Sequence, residues 1–159
     1  MMRTLVLGLG NDLYGDDGVG LIVIRRINTD PEIKRDMARL SGDVRFEECT
    51  VTGLALLDFI IGYDRLIIID TIKKTDPVPG KISLLKETDL RSMPGPSPHY
   101  VSVPQAIEIG RRIGFQVPNR IDIIAVEAKN MYKLGEGLTT EMTRAIPGII
   151  QELRNLLEK

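Results

Sequence analysis

The chain has 159 residues, 43% of them hydrophobic and 27% charged, with a formal net charge of -1. That length suits one domain around one core, and the near-neutral charge supplies no broad electrostatic pull toward nucleic acid or an anionic membrane. The single cysteine, Cys49, excludes an internal disulfide framework and a cysteine-built zinc site, and the single histidine, His99, excludes a site made of several imidazoles.

Along the chain, strand-like and helix-like segments alternate. Residues 3–9, RTLVLGL, are a short apolar run ending in glycine and read as a buried strand. Residues 18–28 set Val19, Ile22, Val23 and Ile27 at helical spacing, with the arginines late, where the helix dipole favours cations. DVRFEEC, 43–49, reads as a second strand, and Thr52 is placed to cap a helix over 53–62 with Leu54, Leu57 and Ile61 on one face. RLIII, 65–69, is apolar and β-branched, which predicts a central strand ending at Asp70. Asp76-Pro77 and Pro79-Gly80 mark a turn, after which Lys81 to Leu85 alternate like a strand. The charged stretch 86–91 reads as a solvated face and RSMPGPSPH, 91–99, as a proline-rich loop. Ser102 and Gln105 have capping-box spacing and predict a helix near 103–113 that Gly114 closes. IDIIAV, 121–126, is a further buried strand. Thr139 caps a last amphipathic helix to about residue 157, with Met142, Ile146, Ile149, Ile150, Leu153 and Leu157 inward. The alternation predicts a single α/β domain, a mostly parallel sheet covered by helices on both faces. The N-terminal apolar run is too short for a signal peptide, and no run approaches the roughly 20 apolar residues that span a bilayer. A reducing cytoplasm is the expected compartment.

Ligands of open parallel sheets bind outside the carboxyl ends of the strands. Three features point to that edge. The Asn11–Asp17 loop follows the first strand, Asp70 follows the most apolar strand, and His99 sits just before a helix; Glu48 ends the second strand nearby. Gly8 and Gly10 match the first two glycines of a dinucleotide loop, but the third position is Leu13, and Asp12, Asp16 and Asp17 would repel a pyrophosphate. No lysine follows, so a P-loop is excluded. A cation fits this loop better: carboxylates with one imidazole suit divalent metals, nickel and zinc among them. The chain has no H-E-x-x-H zinc motif and no G-x-S-x-G elbow. Cys49 has no histidine near it in sequence and reads as a small buried apolar residue. Structural readings stand beside these. Asp17 suits the first turn of a helix, Asp70 a turn or cap at a strand end, His99 an exposed loop, and Asn11 a left-handed turn.

Taken together, LGLGNDLYGDDGVG, TVTGLALLDFI, RLIIIDTI, the PGKI turn, SPH, and LGEGLTTEM before a last helix carrying AIP resemble the NiFe-hydrogenase maturation endopeptidases over nearly the whole chain. The resemblance implies a three-layer α/β/α sandwich with a largely parallel sheet. It implies an endopeptidase that removes a C-terminal extension from the hydrogenase large-subunit precursor after nickel insertion. The nickel is then carried by the precursor, the partner protein, rather than held by the protease. The family's three metal-contacting positions fall on Asp17, Asp70 and His99. Members often have glutamate at the first of these, and the shorter Asp17 leaves open which of Asp16 and Asp17 reaches the metal. Either carboxylate is also a candidate general base. Gly10 and Asn11 are expected to shape the loop, and Thr52 and Gly53 to help hold the precursor's tail. No nucleic-acid or membrane partner is expected. The alternatives are a non-catalytic nickel- or precursor-binding chaperone on the same fold, and a nucleotide-binding module.

Overall fold

A computed structural model describes residues 1–51, 53–90, 98–129, 134–135 and 137–159, and the side chains of all of these except 90 and 98–102. Five strands form one sheet: β1 (Thr4–Leu9), β2 (Val44–Cys49), β3 (Arg65–Ile72), β4 (Ile82–Lys86) and β5 (Arg120–Glu127), in the order β2-β1-β3-β5-β4. β1 pairs in parallel with β2 and β3, β3 pairs in parallel with β5, and β4 alone runs antiparallel at the edge. The three central strands are apolar on both faces because both faces are covered. On one face lie α1 (Val19–Thr29), α2 (Pro31–Ser41) and α6 (Thr140–Leu157), packed through Ile24, Met37, Ile146 and Leu153 on Val6, Ile67, Ile69 and Val126. On the other lie α3 (Leu57–Ile60) and α5 (Pro98–Arg112), whose Ile60, Ala106 and Ile107 meet Leu5, Leu7, Ile68 and Ile123. A short α4 (Glu87–Leu90) follows β4, its described residues largely exposed, and Asp89 Oδ2 accepts a hydrogen bond from the Lys86 amide. The result is the α/β/α sandwich that the sequence predicts. No helix among the described residues is long and apolar enough to cross a membrane.

Four local expectations are corrected. α2 has no counterpart in the sequence reading: its Ile33, Met37 and Leu40 do stand at helical spacing, but charged residues dominate the segment and only Met37 is buried. Its ends nevertheless carry clear signals: Asp30 accepts hydrogen bonds from the Glu32 and Ile33 amides, Pro31 is the first helical residue, and Gly42 follows with φ +73°. The expected 53–62 helix is a 3-10 turn, Gly53–Leu56, followed by the single turn of α3. Its inward residues are Leu56, Leu57 and Ile60, whereas Leu54 and Ile61 are exposed. β3 does not end at Asp70 but runs two residues further, so Asp70 lies inside the sheet opposite Ala125. α5 starts at Pro98 rather than near 103, with Pro104 inside it, so His99 belongs to a helix and not to a loop.

Candidate active site

The site is built on the carboxyl ends of β1 and β3. β1 ends at Leu9, and the chain turns through Asn11–Tyr14 into a 3-10 turn, Gly15–Gly18, that leads directly into α1. The turn folds back over the end of its own strand. A Cβ on Gly10 would collide with the Asp17 carbonyl oxygen, so only glycine lets the acidic turn sit there. The helix–strand approach that a third loop glycine would have supplied comes instead from Gly20. A Cβ there would lie 2.5 Å from the Ile69 oxygen and 2.7 Å from the Leu9 oxygen. Asn11 does not take a left-handed conformation. Its side-chain Oδ1 accepts from the Leu13 amide at 3.0 Å and closes a small turn.

The two adjacent aspartates point to different partners. Asp16 is fully buried, and both of its carboxylate oxygens face Thr139, the N-cap of α6. Oδ1 accepts from the Thr139 amide at 2.7 Å and Oδ2 from its hydroxyl at 3.0 Å. Asp17, 6% exposed, turns toward β3. Its Oδ1 accepts from the Thr71 hydroxyl and its Oδ2 from the Asn11 amide, both at 3.0 Å. Asp70 is fully buried, and its Oδ1 accepts from the Thr71 amide at 2.7 Å. Thr71 therefore joins Asp17 to Asp70, one through its hydroxyl and the other through its backbone. Alternation along β3 puts Asp70 on the face of Ile68 and Ile72, the side covered by α3 and α5.

α5 brings His99 to the same edge. The residues after its C-terminal end bind the start of β3, where the Gly62 amide donates to the Gln116 carbonyl and the Asn119 amide to the Asp64 carbonyl. A 15-residue helix is about 22 Å long, so its first turn, with His99, lies toward the carboxyl ends of the strands. The His99 side chain is outside the described residues, as is Thr52. Gly53, at φ +67°, opens the 3-10 turn that follows β2. Among the described residues, no three His, Cys, Asp or Glu side chains form a metal-holding group.

Other polar groups near this edge are engaged elsewhere. Glu48 and Asp12 both bind Arg25, at 2.8 Å each. Cys49 is buried, and its thiol donates to the Val51 carbonyl. Burial pushes that thiol's pKa up, with the Asp70 charge acting in the same direction and the Val51 hydrogen bond against it, and the net rise disfavours the thiolate. Sequence reasoning missed the part Thr71 plays, and treated Thr139 only as a helix cap. No local spacing marks either one, since their carboxylate partners lie 54 and 123 residues away in the chain.

A family model described as hydrogenase maturation protease matches residues 35–156, a span that includes Asp70 and His99. Relatives that cover the acidic loop as well include the hydrogenase 2 maturation protease of Escherichia coli K12, 26% identical over 99% of this chain and 92% of its own length. The hydrogenase expression/formation protein HupD of Rhizobium leguminosarum is 26% identical over 94% of this chain and 71% of its own length. Among solved structures, the hydrogenase maturating endopeptidase HybD of Escherichia coli superimposes with a TM-score of 0.78 at 22% identity, covering 98% of this chain and 92% of that one. The NiFe hydrogenase maturation protease HybD of Thermococcus kodakarensis gives 0.72 at 22% identity, covering 98% and 99%. These two structures bear on the fold.

Proposed function

The chain belongs to the hydrogenase maturation protease family, a family of peptidases, and on that premise we propose that it removes the C-terminal extension of a NiFe-hydrogenase large-subunit precursor once nickel has been inserted. The observation that carries this reading is the Asp17–Thr71–Asp70 connection. It links Asp17, in the turn after β1, to Asp70, in β3, and the described hydrogen bonds to both come from neutral donors. Carboxylate oxygens suit a divalent cation brought from outside.

In this reading the nickel is part of the substrate, held by precursor cysteines. Asp17 and Asp70 offer it oxygen ligands and His99 a nitrogen ligand, so the precursor is seated only when it carries metal. Cleavage is a hydrolysis: water adds to the scissile carbonyl carbon, the C–N bond breaks, and the proton taken from water goes to the departing amine. The substrate's nickel polarises that carbonyl or acidifies the water, and Asp17 is the carboxylate placed to take the proton. Gly10 and Asn11 act by shaping the turn that presents Asp17, and Gly53 lies where the tail would pass from the end of β2. Membership in a peptidase family leaves the chaperone and nucleotide-binding readings without support.

Intact-mass measurement of a nickel-loaded precursor incubated with the protein tests this. The expected result is loss of a short C-terminal peptide. Stable complex formation with no change in mass would overturn it.

A further inference from the structure

We propose that Asp16 is a positioning residue that clamps the start of α6 to the catalytic turn, and that it neither contacts the metal nor moves a proton. This rests on the processing reading above and divides the labour of the Asp16-Asp17 pair. The geometry of Asp16 is closed. The residue is fully buried, and each carboxylate oxygen accepts from a different donor of one residue, the Thr139 amide and the Thr139 hydroxyl. Thr139 in turn caps α6, its Oγ1 accepting from the Met142 amide at 3.3 Å. A carboxylate at the N-terminus of an 18-residue helix is further stabilised by the helix dipole. Each Asp16 oxygen thus gives one acceptor site to Thr139 at the start of α6, and the residue's full burial keeps the carboxylate away from solvent. Asp17 looks the other way, toward Thr71 and Asp70.

The clamp closes a larger strap. The chain before Thr139 is fastened a second time to the same loop. Leu134 forms an antiparallel bridge with Tyr14, and the Gly135 amide donates to the Leu13 carbonyl at 2.9 Å. Leu134 and Gly135 are thus tied to Tyr14 and Leu13, and Thr139 to Asp16, the covalent neighbour of Asp17, so both ties fall on the loop that carries Asp17. Asp16 holds the downstream tie. Released, the Gly15–Gly18 turn loses its anchor on α6, and Asp17 loses the fixed placement on which a reaction step depends.

The test compares Asp16→Asn, Asp16→Ala and Asp17→Asn in cleavage of nickel-loaded precursor, with hydrogen exchange as a second readout. Asparagine keeps an oxygen for the Thr139 amide and can donate to the Thr139 hydroxyl, so it preserves the clamp but cannot act as a base or an anionic ligand. Asp16→Asn is expected to keep kcat within about fivefold of the wild type. Asp16→Ala is expected to lower kcat by about tenfold or more with KM little changed, and to speed amide exchange over residues 137–142. Thr139→Val, which keeps the amide bond to Asp16 but loses both the hydroxyl bond to Asp16 and the cap on the Met142 amide, should fall between them. An Asp16→Asn protein as inactive as Asp17→Asn would overturn the proposal, because it would make Asp16 a base or a ligand. Wild-type kcat and wild-type exchange in both Asp16→Ala and Thr139→Val would overturn it too, because the clamp would then do nothing. If Asp16→Ala does not fold, Asp16→Asn and Thr139→Val decide between these results. A wild-type protein that leaves every precursor whole refutes the processing reading instead, and the exchange measurement still judges the clamp.

Discussion

At the amino edge of the sheet, Arg65 is buried against Asp122, its Nε and Nη2 donating to Asp122 Oδ2 at 3.1 and 2.9 Å while Nη2 also donates to the Leu156 carbonyl at the end of α6. Arg120 Nε stands 3.2 Å from the same oxygen. At the carboxyl edge, Asp16, Asp17 and Asp70 are just as deeply placed, but their described hydrogen bonds come from backbone amides and threonine hydroxyls. One edge neutralises its carboxylate with guanidinium groups and ties a helix end down. At the other, the described hydrogen bonds to the carboxylates come from neutral donors. Burying a charge with its counter-ion serves the fold, whereas under the proposed function the carboxyl edge receives a cation brought by the substrate. On that proposal the same sheet carries a structural edge and a working edge.

Substitutions at each edge should separate along that line. Asp17→Asn and Asp70→Asn are expected to lower kcat/KM for precursor cleavage by about 100-fold or more while the protein stays folded, as does His99→Ala. Steady-state cleavage beside a denaturation curve measures both properties. Wild-type rates in all three variants would remove the site from this edge.

Arg65→Ala should do the reverse. Removing one partner of a buried pair costs about 3–5 kcal/mol, and Arg120 remains to hold part of the Asp122 charge, so about 3 kcal/mol is expected in a denaturant titration. The folded fraction should cleave at the wild-type rate. Gly10→Ala tests the link between backbone and chemistry. Its new methyl group must displace the Asp17 carbonyl, so a stability loss of about 1–3 kcal/mol should come with a loss of cleavage larger than the unfolded fraction explains.

The smallest effect concerns Cys49. Burial raises its thiol pKa in the fold. Below the ordinary thiol range, about pH 8.5, both states are protonated and the pH has no effect through this group. Above it the unfolded chain ionises while the folded one does not, so folded-state stability falls as pH rises. The wild type should therefore lose stability more steeply than Cys49→Ala between pH 8 and 10, read as the slope of melting temperature against pH.

The sheet was legible because its central strands are apolar runs bounded by glycine or charge, RTLVLGL and IDIIAV among them. The helix over Pro31–Ser41 was not read, although Asp30-Pro31 marks its start and Ile33, Met37 and Leu40 stand at helical spacing, because its charged residues outweigh that narrow apolar stripe. The placement of His99 near a helix start was legible, but its inclusion in the helix was not. Pro98 suits a first helical turn, yet Ser102 and Gln105 offered a rival start. The acidic pair was visible as a pair and no more. Two adjacent aspartates look alike in sequence, and what separates them is Thr139 on one side and Thr71 on the other, neither of them local. The proposal of a cation at this edge starts from the absence of lysine and the surplus of aspartate in LGLGNDLYGDDGVG.

The most direct test of a working edge that waits for its cation is to offer the protein the same large-subunit precursor with and without nickel and to follow intact mass over time. The account predicts that only the nickel-loaded precursor is shortened at its C-terminus. Equal shortening of both forms would contradict it.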